Sequence, residues 1–98
     1  MTKKIILDVP LEDLEDILSD KGWTVETVTK KLGPTKEDRA DKNVLNYALQ
    51  NKEIIVVTVD KPFVSRLRSS GINVIALTLE DKAKIINEKL GIINSKFD

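Results

Sequence analysis

Ile54-Ile-Val-Val-Thr-Val-Asp-Lys-Pro-Phe63 is the stretch that decides the fold of this 98-residue chain. Six consecutive β-formers, followed by a carboxylate, a cation and a proline, describe a buried strand whose far end opens into a loop or a helix start. A strand apolar on both faces needs cover on both sides. That condition belongs to a parallel sheet between helices, since a sheet with one wet face alternates polar and apolar residues. In such sheets ligands bind beyond the carboxyl ends of the strands, where strand order reverses, and Asp60 stands at such an end.

Working outward, Lys3–Asp8 repeats the same grammar: Ile5, Ile6 and Leu7 run into Asp8. Pro10 fits the first turn of a helix, with Leu11, Leu14 and Leu18 on one face and Gly22 as terminator. Trp23–Val28 alternates and predicts a half-exposed second strand at the sheet edge. Gly33-Pro34 breaks any regular element between Thr29 and Ala40, the longest predicted loop, in which Thr35 with Asp38, or Asp41, can cap a helix. Val44, Leu45 and Ala48 give an amphipathic helix ending near Asn51. Phe63, Val64 and Leu67 give a short helix stopped at Ser69-Ser70-Gly71, and Ile72–Leu77 a fourth strand. Leu79, Ala83, Ile86 and Leu90 give a last helix closed by Gly91. In the remaining tail, Ile92, Ile93 and Phe97 are apolar enough to call for docking on the core or on a second copy of the chain, a homodimer.

Strand alternating with helix predicts a single α/β domain over residues 1–98. Its architecture is a three-layer sandwich around a parallel four-stranded sheet with right-handed crossovers. The most apolar strands belong at the centre, giving order 2-1-3-4. Asp8 and Asp60 then end on neighbouring strands, roughly 5 Å apart.

Composition narrows the chemistry. With 41% hydrophobic and 33% charged residues the balance is globular, and no apolar run is long enough to span a bilayer. The opening Met1-Thr-Lys-Lys-Ile-Ile-Leu-Asp8 meets a carboxylate before a signal core can form, which predicts a soluble, cytoplasmic protein without a membrane partner. There is no cysteine and no histidine, so thiolate and imidazole chemistry are excluded, and carboxylates, hydroxyls and amines remain. Sixteen basic residues balance sixteen acidic ones, without the overall positive field of a nonspecific nucleic-acid binder. Acidic residues crowd Glu12–Asp20, and Lys30, Lys31, Lys36, Arg39 and Lys42 crowd the next segment, where they form either a local basic rim or a solvated polar surface.

Three pieces in order, Ile5-Ile-Leu-Asp8, Asp41-Lys-Asn-Val-Leu-Asn-Tyr-Ala48 and Val57-Thr-Val-Asp-Lys-Pro-Phe63, resemble the small PIN-like domains related to the ribonucleases of toxin-antitoxin pairs. The resemblance covers roughly residues 4–77. It implies that Asp8, Asp41 and Asp60 share an acidic pocket weakly holding magnesium or manganese as metal ligands and catalytic groups, and that Thr58 supports Asp60. The implied activity is metal-dependent hydrolysis of single-stranded RNA, a nuclease function, with Lys36, Arg39, Lys61 and Arg66 guiding the strand and an antitoxin-like protein as partner. Val9 and Pro62 stand where such relatives often carry further carboxylates. The alternative is therefore a catalytically inactive PIN-like module that binds RNA or a partner protein.

Overall fold

A computed structural model describes the chain from residue 4 to residue 97, and its side chains from residue 4 to residue 88. Strands β1 (Lys4–Leu7), β2 (Thr24–Thr27), β3 (Ile55–Thr58) and β4 (Asn73–Ala76) form one parallel sheet in the order β2-β1-β3-β4. Both the α/β class and the strand order match the sequence expectation. A 3-10 stretch (Val9–Leu14) leads into helix α1 (Glu15–Asp20), followed in chain order by α2 (Val28–Leu32), α3 (Asp41–Gln50), α4 (Lys61–Ser69) and α5 (Leu79–Phe97).

The alternation of side chains along each strand divides the core in two. Ile6 and Val56 project to one face, where Val28, Val44, Ala48, Phe63 and Leu67 from α2, α3 and α4 cover them. Ile5, Leu7 and Val57 project to the other, under Leu11 and Leu14. Partly buried Ile85 and Ile86 of α5 pack on this second cluster. Burying side chains such as Phe63, Leu11 or Leu67 stabilises the fold by roughly 1.5–3 kcal/mol each. This explains why the two continuous apolar strands are the inner ones: only there are both faces covered.

Several boundaries differ from those predicted. Val28 does not end the second strand but opens α2, because the Thr27 side chain accepts from the Lys30 amide. The predicted long loop therefore begins at Gly33. There the backbone takes φ +125°, and a Cβ would run into the Asp38 carboxylate, so glycine is required. Thr35 and Asp38 do hydrogen-bond reciprocally, but they close a turn and not a helix. Asp41 caps nothing: it is the first residue of α3, and Ala40 holds the cap position without a side-chain bond. The last helix continues through Gly91 to Phe97. The expected docking of Ile92, Ile93 and Phe97 concerns side chains outside those described. No helix among the described residues is long and apolar enough to cross a membrane.

Candidate functional site

The carboxyl edge of the two inner strands is tied together by Thr58, which is fully buried. Asp8 follows β1, and its backbone amide donates to the Val57 carbonyl at 3.0 Å, continuing the β1–β3 ladder one residue past the last strand pair. Asp8 is thereby level with Thr58. Asp60 lies two residues farther along, so the two carboxylates are not direct neighbours across the strands. The Thr58 hydroxyl bridges them: it donates to Asp8 Oδ2 at 2.7 Å and accepts from the Asp60 amide at 3.2 Å. Thr58, expected to support Asp60, gives its proton to Asp8, and Asp60 meets the same oxygen only through its backbone amide.

Asp60 Oδ1 accepts from the Phe63 amide at 3.1 Å and so caps α4, with Pro62 in the first turn where its missing N–H costs nothing. Asp8 Oδ1 accepts from the Val9 amide at 2.9 Å at the start of the 3-10 stretch. Both residues thus serve local backbone as well as facing the edge. Asp41 arrives from the opening of α3. Partial burial raises its pKa above the ordinary carboxylate value, and the negative charges of Asp60 and Asp8 raise it further. Arg66 on α4 acts the other way but stands 3.9 Å from Asp41 Oδ2. Residues far apart in sequence are thus close enough for each to act on the charge of Asp41. Among the described residues, however, no three acidic side chains are placed to hold a metal ion in the positions they occupy.

The predicted cations divide. Arg66 faces Asp41, whereas Arg39 donates from Nε to the Thr35 carbonyl at 3.3 Å within its own turn. Lys36 and Lys61 are exposed. Of the wider basic segment, Lys30 pairs with Glu15 and Lys31 with Glu26, so part of the imagined rim is internal ion pairing. A cleft of about 510 Å³ is lined by Glu37, Asp38, Ala40, Lys42 and Asn43, and Asp41 is not among its lining residues. A second cleft, of about 250 Å³, shares Asp38 and Asn43 with it and continues along α3 to Tyr47 and Gln50.

Sequence reasoning missed one carboxylate near this edge. Glu12 takes both the amide and the hydroxyl of Thr29, each at 2.7 Å, and so locks the 3-10 stretch to the first turn of α2. In the sequence it is one acidic residue among several, and nothing distinguishes it from its neighbours. Comparison of the chain with protein-family models, with curated proteins and with solved structures finds no match.

Proposed function

We propose that the carboxyl edge formed by Asp8, Asp41 and Asp60 binds a divalent cation, magnesium or manganese, and that the chain is a PIN-like ribonuclease acting on single-stranded RNA. The observation that carries this reading is the approach of Asp8 and Asp60, at the ends of the inner strands, to Asp41 at the start of α3, near enough that both act on its charge, with Arg66 at 3.9 Å as counter-charge. Clustered negative charge without matching positive charge costs stability, and a hard divalent cation relieves it. The donor chemistry suits such an ion, because all three groups offer hard oxygens, but in the positions they occupy the three side chains do not converge on one point, so binding requires them to turn toward a shared ion. Such an ion supplies activated water and charge neutralisation for phosphodiester hydrolysis. The chain itself contributes orientation: Thr58 holds Asp8, the α4 cap holds Asp60, and Arg66 offers a guanidinium within reach of a phosphate once Asp41 turns elsewhere.

A titration with manganese checks this reading. The expected result is saturable broadening of the amide signals at Asp8, Asp41 and Asp60, lost in Asp60→Asn, whose side-chain oxygen can still accept from the Phe63 amide and cap α4. Cleavage of an unstructured RNA oligonucleotide should depend on the same ion. If millimolar manganese leaves the three signals unmoved, the ribonuclease reading is abandoned.

A second reading, RNA or partner-protein binding without cleavage, is favoured by the double duty of Asp8 and Asp60, whose oxygens already serve backbone amides and Thr58. It predicts RNA retention that Asp60→Asn leaves unchanged or strengthens, with no turnover in either form.

A further inference from the structure

The two edges of the sheet are built differently. At β2 the edge carries Glu26, held by Lys4 at 3.5 Å and Lys31 at 3.2 Å, and charge of this kind discourages pairing with another strand. At β4 there is no such guard. The run Ser70-Gly-Ile-Asn-Val-Ile-Ala-Leu-Thr78 contains neither a charge nor a proline, and Asn73, Ile75 and Ala76 are exposed. Ile75 remains 38% exposed and Leu79, just beyond the strand, 69%.

The backbone parity of this edge is fixed by its pairing with β3. Thr58 is level with Ala76, and the Leu77 amide donates to the Thr58 carbonyl at 3.0 Å. In a parallel ladder alternate residues of a strand bond to the same neighbour, so the peptide groups of Ile75 and Leu77 face β3. Those of Val74 and Ala76 face outward, and they have no partner among the described residues.

We propose that this edge is the interface to a second copy of the chain, with β4 pairing antiparallel to β4 of the partner subunit about a two-fold axis through Ile75. That axis sets Val74 opposite Ala76 of the partner subunit, and Ala76 opposite Val74 of the partner subunit. Each of these pairings has both peptide groups facing the other, and each closes with two hydrogen bonds. Ile75 then meets Ile75 of the partner subunit as a non-hydrogen-bonded pair, the arrangement in which side chains approach most closely, at roughly 4.5 Å between Cα atoms. A two-fold axis perpendicular to the sheet keeps both isoleucines on the same face. There Ile75 borders an apolar cleft of about 160 Å³, floored by Ile5 and Val57 and walled by Trp23, Leu77 and Ile85. The contact joins two four-stranded sheets into one and covers Ile75.

A second copy satisfies what the edge demands. It presents the same neutral strand with the same outward peptide groups, as an isologous interface requires. The chain's net charge of zero adds no long-range repulsion between copies. A nucleic acid or a highly charged peptide finds no countercharge on this run. The proposal is independent of any activity at the carboxyl edge.

Sedimentation at increasing concentration, together with amide hydrogen exchange, tests it. The wild-type chain should reach twice its 11.0 kDa mass, and the Val74 and Ala76 amides should exchange at least about tenfold more slowly in the concentrated sample than after dilution. Ala76→Pro removes an N–H that has no partner among the described residues, so it should sediment as a monomer with an unchanged circular dichroism spectrum. A wild-type chain that stays monomeric at every concentration overturns the proposal. So does a dimer whose Val74 and Ala76 amides exchange freely, which would place the contact elsewhere. Both readouts use the wild-type chain, so they decide the matter even if the proline variant does not fold.

Discussion

Glu26, bonded to α3 through Tyr47, and Asp41, the first residue of α3, are both partly buried carboxylates, yet their charges are treated in opposite ways. The Glu26 side chain is only 16% exposed, against 42% for Asp41. Burial alone would penalise the Glu26 charge more. Burial does push the Glu26 pKa up, but it is outweighed by the Tyr47 hydroxyl at 2.6 Å, by Lys31 and by Lys4, so the net shift is downward. Burial pushes the Tyr47 phenol upward, and its bond to the charged Glu26 pushes it further. At Asp41 the net shift is upward, because burial is joined by two like charges and opposed by one arginine at 3.9 Å. Neighbours, more than depth, set the sign. A compensated carboxylate holds elements together, whereas an uncompensated one is a cost that the rest of the fold carries and that a ligand can relieve.

The contrast can be broken first at its anchor. Thr58→Val keeps the shape of the buried side chain but leaves Asp8 Oδ2 and the Asp60 amide without their shared partner. Urea unfolding should show a loss of about 1–2 kcal/mol. A loss near zero would mean that water replaces the hydroxyl and that Thr58 does not hold the edge together. Next in size is Glu26→Gln, which removes the compensated charge at a cost of about 1 kcal/mol at pH 7. Because the folded pKa of Glu26 is lowered, its contribution is complete above the unfolded value and disappears as pH falls through the folded one. Wild type and variant should therefore converge in acid, and a gap that persists there would locate the effect in packing.

The smallest effect has the opposite sign. Asp41→Asn removes an ionised group whose folded pKa is raised. The destabilisation it relieves is present above that pKa and absent below the unfolded value of about 3.9. With solvent screening the gain at pH 7 is a few tenths of a kcal/mol, or roughly 2 °C in melting temperature, and it should vanish near pH 3. A variant less stable than wild type at pH 7 would show that Asp41 is compensated after all.

Much of the fold was legible because apolar runs and their endings encode it. Ile54–Val59 and Ile5–Leu7 identify central strands without reference to anything else, and Gly22 and Gly71 mark ends where φ turns positive. The helix α2 was not legible, since its start depends on Thr27 below it and on Glu12 reaching across from the 3-10 stretch. The candidate site was partly legible. That Asp8 and Asp60 close the inner strands follows from the sequence, but the two-residue stagger between them does not, because ladder register is a relation between strands. The proton of Thr58 going to Asp8 belongs to the same class of facts.

By itself the sequence determined the parallel sheet, its order and the absence of imidazole and thiol chemistry, since these depend on residue types and their local spacing. Only the tertiary structure decided which carboxylates have their pKa lowered by bonded partners and which have it raised by burial and like charges, and which sheet edge is guarded. Charge compensation and edge pairing act between segments that chain order leaves far apart. Their strength depends on distances of a few ångströms that only the packed fold fixes.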